Sequence, residues 1–448
     1  MDVSPPSYRR FSSVRPGLVP ENVDELPPYT RRTAALPNEP AIRRGPTEHI
    51  FFLTEKNKNL ATLRLYSSAK SSKSLPTFFE KENINGILEI DAEKGDSIQS
   101  ITAVVTGRII TGANAGDTVT FLNHSLPIWS KSRDVPRIPS PSEGASKAKL
   151  LGRCEWPLSI PLPRTVVAPN GTGSKETYHL PETFLERHTN ASVQYDFTIH
   201  ISRGLTRSDS RIKTAFGYIP NTRPAPPSEL RQLAYHHGSP LLGPHSDPSG
   251  WKSLGPATAR GVMYRQQPVK VECLLSLAKP LSYTRGSIIP CFMALRSSDE
   301  NTLGLFSTPS AISVKLLRRV RFLNPDNLWD ESVQEVGSAS WWPSAGVQSH
   351  PNACHMEGEI KLAKDLRPST AIGHFSVSYH VSLQQFDVPH YQAQEKRPLV
   401  SEPVEIATTH AKAPRPKAYA PPEYTSTVRP TEHIYAVPYS SGLTPFPT

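Results

Sequence analysis

The chain has 448 residues, of which 37% are hydrophobic and 20% charged, and its formal net charge is +10. The length predicts two or three domains. The absence of any run of about eighteen apolar residues argues against a membrane-spanning helix. Residues 1–5 lack the basic-then-apolar pattern of a secretory signal. The four widely spaced cysteines form neither a Cys-x-x-Cys pair nor a disulfide framework, which predicts a reducing, cytoplasmic location.

The positive charge favours an anionic partner such as a membrane surface, but scattered charge that maintains solubility explains it equally well. No recognised nucleic-acid-binding module accompanies the charge, so nucleic acid is not a predicted partner.

Residues 1–45 are rich in Pro, Ser and Arg without hydrophobic periodicity, which predicts an unfolded tail. Within this tail, Pro5-Pro6-Ser7-Tyr8 spells Pro-Pro-x-Tyr, and Leu26-Pro27-Pro28-Tyr29 is a looser copy with leucine in the first position. The run Arg9-Arg10-Phe11-Ser12 has the spacing that basophilic kinases favour, so Ser12 is a candidate phosphorylation site. A chance basic-serine pair in a polar tail is the stronger explanation for Ser12.

Residues 46–267 contain short strand-like runs and are predicted to form an N-terminal β-sandwich with insertions. Between 193 and 201 the odd positions are apolar and the even positions polar, which places the two sets on opposite faces of a strand. This alternation predicts an antiparallel sheet with one solvent-exposed face. The other predicted strands of this block are 50–53, 61–66, 85–90, 96–107, 119–122 and 212–219.

Residues 221–268 are rich in Pro and Gly and contain one predicted short helix at 229–235. A second strand-rich block, 268–410, follows. The chain is therefore predicted to be all-β, with two tandem immunoglobulin-type β-sandwiches. The predicted strands of the second block are 269–275, 287–295, 312–316, 375–383 and 404–406.

Residues 411–448 are again Pro-rich and are predicted to form a second unfolded tail, which carries Pro421-Pro422-Glu423-Tyr424. Prolines in this spacing favour an extended polyproline II backbone, and such segments dock in the aromatic grooves of WW domains. Copies on separate tails raise the effective concentration for a multivalent partner. A chain with 46 prolines can produce one copy by chance, but two identical copies confined to the tails favour docking.

The strand-rich blocks also carry a family resemblance. The segment 273–290 is similar to the start of an arrestin C-terminal domain, in which a strand leads through a glycine-containing turn to a second strand. The segment 195–220 resembles the last strands of an arrestin N-terminal domain. Together with the Pro-Pro-x-Tyr tails, residues 46–410 resemble an arrestin-related trafficking adaptor of the fungal α-arrestin type. Long insertions at about 127–176 and 204–268 depart from that pattern.

This resemblance implies an adaptor that links membrane transporters or receptors to a HECT-type ubiquitin ligase and promotes cargo ubiquitination and endocytosis. It also implies peripheral recruitment to the plasma membrane or endosomes. An arrestin-shaped sorting or signalling scaffold that works without a ligase is the alternative. The residues implied in binding the ligase WW domains are Pro5, Pro6, Tyr8, Leu26, Pro27, Tyr29, Pro421, Pro422 and Tyr424.

The remaining candidate sites have simpler explanations. Arg318, Arg319 and Arg321 would divide between the faces of a strand, and they favour either an anionic-lipid patch or a charged strand edge. The pairs 236–237 and 354–355 lack a second pair at zinc spacing, so no metal or cofactor is predicted. No Gly-x-Ser-x-Gly, His-Glu-x-x-His, phosphate-loop or kinase pattern occurs, which predicts that the chain is not an enzyme.

Overall fold

The computed structural model describes residues 45–55, 58–92, 98–131, 150, 152–170, 173–187, 189–204, 208–345 and 351–424. Of these residues, 56% lie in strands and 7% in helices, and the large sheets are curled in the manner of β-sandwiches. The prediction of an all-β chain is confirmed. Within the described ranges, no helix has the length and apolar character needed to cross a bilayer.

The N-terminal half contains eleven strands among its described residues, arranged in three sheets. One sheet has the order β1-β2-β4-β7, a second has the order β3-β11-β10-β5-β6, and β8 pairs with β9. All pairings are antiparallel except β11 with β3. The strands are β1 Thr47–Glu55, β2 Lys58–Ser67, β3 Thr77–Phe79, β4 Asn83–Ala92, β5 Ile98–Ile110, β6 Thr118–Ser130, β7 Gly152–Pro161, β8 Thr165–Pro169, β9 Lys175–His179, β10 Ser192–Arg203 and β11 Ser210–Ile219.

Strand β10 shows why this half folds as it does. Its apolar odd positions from 193 to 201 are at most 1% exposed and form part of the core, as the alternation predicts. The opposite face is only partly solvent-exposed, which corrects the expectation of a wet side. His200 is exposed, but Asp196 and Thr198 are buried. Asp196 is buried because it forms ion pairs with Arg108 on β5 and Lys213 on β11.

In the C-terminal half, the described strands form one twelve-stranded sheet, and two helices lie outside it. The predicted helix at 229–235 is observed as α1. The elements are α1 Glu229–His237, β12 Trp251–Ser253, β13 Ala257–Met263, β14 Gln267–Ala278, β15 Ser282–Thr284, β16 Ile288–Arg296, α2 Glu300–Phe306, β17 Val314–Leu323, β18 Trp329–Pro343, β19 Ala353–Lys361, β20 Thr370–Ile372, β21 Phe375–Leu383, β22 Tyr391–Ala393 and β23 Val400–Ala407.

Strand β18 allows this sheet to curl around its own core. Its first part, up to Ser338, pairs with β17, and its last five residues pair with β19. Trp341 in that last part is 1% exposed and belongs to the core. Gly358 on β19 lies directly beneath the Trp341 ring, where any larger side chain would overlap it.

The two halves meet through a buried group of charged side chains. The loop before β10 carries Glu182 and Glu186, which face arginines from the C-terminal half. Arg318 donates two hydrogen bonds of 2.7 Å to Glu186. Arg285 and Arg367 bind Glu182 at 3.0 and 2.9 Å. Because these carboxylates and guanidinium groups compensate one another, the charges are tolerated away from water.

The arginine cluster of β17 is therefore divided between the two faces of the strand, as expected for consecutive residues. Arg318 points inward, whereas Arg319 and Arg321 are exposed on the opposite face. Arg319 pairs with Glu331 at 3.2 Å, and the Arg321 guanidinium lies 4.4 Å from the ring centroid of Trp329. The three arginines do not form one lipid-facing patch.

Candidate functional site

Only one of the three tyrosine motifs lies within the described residues, the C-terminal copy Pro421–Tyr424. The predicted partner-binding residues of the N-terminal tail, and the candidate phosphorylation site, lie outside the described ranges. These are Pro5, Pro6, Tyr8, Ser12, Leu26, Pro27 and Tyr29.

The chain leaves β23 and lies along the segment that connects the two halves. Thr222 donates its backbone N–H to the hydroxyl of Thr408, and Thr409 donates its backbone N–H to the carbonyl of Thr222, both at 3.0 Å. Residues 410–424, which we call the C-terminal strap, continue from there. Composition predicts an unfolded tail from about Ala411, but the structure places residues 411–424 in contact with the body.

A buried carboxylate on β19 holds the strap. Glu359 is 6% exposed, and one of its oxygens accepts a 2.9 Å hydrogen bond from the backbone N–H of Tyr419. The N–H of Ala420 is also directed to this carboxylate. Burial raises the pKa of Glu359, while the two amide hydrogen bonds act in the opposite direction by stabilising the charged form. Glu359 therefore clamps two successive amides that immediately precede the Pro-Pro-x-Tyr motif.

Helix α1 provides a second contact for the strap. The ring of Tyr419 stacks on Tyr235, with centroids 6.4 Å apart and planes inclined by 23°. Gly238, which directly follows the last residue of α1, has a left-handed backbone conformation, and the amine of Lys417 lies beside it. A cation at this position complements the partial negative charge of the helix C-terminus. Together these contacts fix the strap on both sides of Tyr419.

The motif itself forms a compact turn. Pro422–Tyr424 is a 3-10 helix beside β18, and the backbone N–H of Tyr424 donates to the carbonyl of Pro421 at 3.0 Å. Pro422 and Glu423 are exposed, whereas Tyr424 is half-buried. A 3-10 turn has ψ near about −25°, but polyproline II needs ψ near about +145°. The observed backbone is therefore not the extended form that the motif predicts for a WW-bound state.

Sequence reasoning missed the side chains that hold the motif. Glu359, Tyr235 and Tyr419 belong to three distant parts of the chain, and none of them lies in a recognisable pattern. The one available signal was Tyr419, a large aromatic residue in an otherwise small and polar segment. Such a residue in a tail favours a contact with a surface.

The histidine and cysteine pairs at 236–237 and 354–355, considered above as metal ligands, lie within the described residues. Among the residues that the structure describes, no group of three or more His, Cys, Asp or Glu side chains is arranged to hold a metal ion. Comparisons with known proteins give no identification, since no family model and no curated protein matches this chain. The function must therefore be inferred from the motifs and the geometry around them.

Proposed function

We propose that the chain is an adaptor that brings a WW-domain HECT-type ubiquitin ligase to membrane cargo such as transporters or receptors. The observation that carries the proposal is the pair of identical Pro-Pro-x-Tyr motifs at opposite ends of an all-β body. Two short docking segments on one body suit a ligase with several WW domains, because the second contact forms at high effective concentration. The body would then select the cargo.

The C-terminal motif would bind conditionally. Its backbone must change from a 3-10 turn to an extended conformation, and Tyr424 must leave its half-buried position. Release of Tyr419 and Ala420 from Glu359 would accompany that change, since these residues directly precede the motif. We infer that WW binding and strap docking compete for the same residues.

The test is a pull-down of the full chain with purified WW domains of a HECT-type ligase. The triple variant Tyr8→Ala/Tyr29→Ala/Tyr424→Ala should lose most of the captured protein, because all three motifs lose their aromatic anchor. Tyr435→Ala is the matched control, since Tyr435 lies in the same C-terminal segment without a preceding Pro-Pro pair. Undiminished capture of the triple variant would reject the proposal.

A specific observation favours a second function, a sorting or signalling scaffold of arrestin shape that needs no ligase. The strap uses the C-terminal motif as part of the body surface, which is also what a purely structural proline segment would do. Proximity labelling in cells separates the two. The adaptor loses ligase and keeps cargo when Tyr8, Tyr29 and Tyr424 are replaced, whereas the scaffold keeps the same neighbours.

A further inference from the structure

A partly enclosed cleft lies beneath the first residues of the strap. Strap residues 410, 411 and 413–416 form one wall, the connecting segment and α1 form another, and the end of β14 through β16 forms the third. Half of the lining residues are proline or alanine. No acidic side chain of the described residues lines it, while the basic side chains are Arg231, Lys279, His410 and Arg415. Apolar walls with charges of one sign concentrate the electrostatic potential in such a cleft.

Arg231 is the buried charge of this cleft. It is 3% exposed, and its Nη1 donates to the carbonyl of Lys279 at 2.9 Å. Its guanidinium lies 4.7 Å from the ring centroid of Trp251. Within the described part of the chain, its Nη2 has no hydrogen-bond partner although it is fully buried. An unsatisfied guanidinium nitrogen away from water is costly, which indicates a missing acceptor.

The titratable side chains around Arg231 do not supply that acceptor. Tyr235, Asp247 and Tyr283 are close enough to interact electrostatically with it. The Asp247 carboxylate instead accepts hydrogen bonds from the hydroxyl of Ser228 and the backbone N–H of Gly250. The hydroxyl of Tyr283 donates to the carbonyl of Ala278. None of these three groups accepts a hydrogen bond from the Nη2 of Arg231.

The strap contributes a second unsatisfied atom to the same cleft. The Nδ1 of His410 is buried and has no hydrogen-bond partner among the described residues. The pKa of His410 is lowered, first by burial and then by the nearby charge of Arg415. An anion between the strap and α1 would oppose both effects, because it would offer acceptors to His410 and Arg415 and offset the repulsion between them.

We propose that this cleft binds a phosphate monoester group, held by Arg231 from the body and by His410 and Arg415 from the strap. The unpartnered Nη2 of Arg231 can donate to one phosphate oxygen, and the other oxygens provide acceptors for a second cation and an imidazole at once. Binding would join strap and body and would hold the strap in place. The proposal concerns the cleft alone and does not depend on the ligase.

Calorimetric titration of the full chain with inorganic phosphate, at constant ionic strength, measures the site directly. The wild-type chain should bind saturably with one site per chain. Arg415→Ala should weaken binding by at least about tenfold, the size expected for a lost charge-assisted hydrogen bond. Lys412→Ala is the matched control, because Lys412 is an exposed cation of the same strap that does not line the cleft. It should bind as the wild type does.

Replacement of Arg231 tests the body side, with folding checked by circular dichroism. Arg231→Lys keeps the charge but loses the guanidinium and its Nη2 donor, so it should also weaken phosphate binding. If Arg231→Lys does not fold, Arg415→Ala still decides the question, since Arg415 is exposed. No saturable binding, or equal losses in Arg415→Ala and Lys412→Ala, would overturn the proposal by showing only non-specific attraction.

Two further experiments test whether phosphate holds the strap on the body and whether the phosphate belongs to a soluble ligand or to a lipid headgroup. Phosphate should slow tryptic cleavage after the exposed Lys412 and Lys417, because it holds the strap on the body; unchanged cleavage would contradict the bridging geometry. Phosphatidylcholine vesicles with and without a phosphorylated inositol lipid test a headgroup. If the chain binds inorganic phosphate but not the vesicles, the ligand is soluble. If it also binds vesicles only when they contain the phosphorylated inositol lipid, the ligand is a headgroup. If it binds neither, the site is rejected.

Discussion

Removal of the Glu359 carboxylate should make the C-terminal motif available to a WW domain. Glu359 accepts the amides of Tyr419 and Ala420 and is itself 6% exposed. A hydrogen bond to a charged group contributes about 1.5–3 kcal/mol net of solvation, and the cost of burying the Glu359 carboxylate offsets part of the gain from its two bonds. For Glu359→Ala we take a net loss of about 2 kcal/mol in strap docking, which corresponds to about a 30-fold larger fraction of undocked strap.

That fraction sets the apparent affinity of the motif, because the observed Kd is the intrinsic Kd divided by the competent fraction. With the strap mostly docked, Glu359→Ala should therefore lower the apparent Kd for a WW domain by about 30-fold. The experiment uses a chain that also carries Tyr8→Ala and Tyr29→Ala, so that Tyr424 is the remaining anchor. Fluorescence anisotropy with a labelled WW domain gives the Kd, and a free peptide of residues 416–428 gives the upper limit of affinity.

Glu357→Ala is the matched control for this measurement. Glu357 lies two residues away on the same face of β19 and accepts a hydrogen bond from Ser344 instead of from the strap. Its replacement should leave WW affinity unchanged. If the Tyr424-only chain already binds as tightly as the free peptide, or if Glu359→Ala has no effect, the strap does not compete with WW binding.

Three further predictions concern the body. Glu186→Gln should lower the free energy of unfolding in urea by about 3 kcal/mol, because it leaves the buried Arg318 without its carboxylate. The control is Glu331→Gln, which breaks the exposed pair with the adjacent Arg319 and should lower the free energy of unfolding by less than about 1 kcal/mol. Burial holds the pKa of His49 below its usual value, so the folded state binds fewer protons than the unfolded state and should lose stability as pH falls below about 6.5; His49→Gln should reduce this loss between pH 7 and pH 5. Burial raises the pKa of Cys273 to about 12 and raises that of Cys291 further. In the folded chain, a thiol reagent at pH 8 should therefore modify the half-buried Cys154 and Cys354 first. The buried Cys273 and Cys291 should react only after the chain is unfolded in urea.

The sequence predicts those strands whose residues carry their own hydrophobic signal. The apolar alternation of β10, and the nearly continuous apolar runs of β14 and β16, reflect faces that are buried in the core. Strand β18 has no such signal, because most of its residues are exposed or half-buried. It is a strand because β17 and β19 supply its hydrogen-bond partners, and that pairing cannot be read from its own residues.

The candidate site is predictable only as a motif. The spacing of Pro421, Pro422 and Tyr424 indicates a WW ligand. The composition around it indicates disorder, because a segment of small and polar residues cannot bury enough apolar surface by itself. Docking depends on Glu359, which is sixty residues from Tyr419 along the chain, and on Tyr235 from α1. Such non-local contacts leave no mark within the tail.

The strap covers two charges that the body cannot satisfy alone. Glu359 is a buried carboxylate whose strap-side partners are two amides, and Arg231 is a buried guanidinium with an unpartnered nitrogen beneath the same strap. Both charges would be costly on a surface that is always bare, unless water or another ligand replaced the strap. We therefore expect detachment of the strap to be coupled to binding by a competitor. On the proposed functions, a WW domain that binds the motif would compete with Glu359 for the adjacent residues Tyr419 and Ala420, and loss of a phosphate beside Arg231 would weaken the other end of the strap.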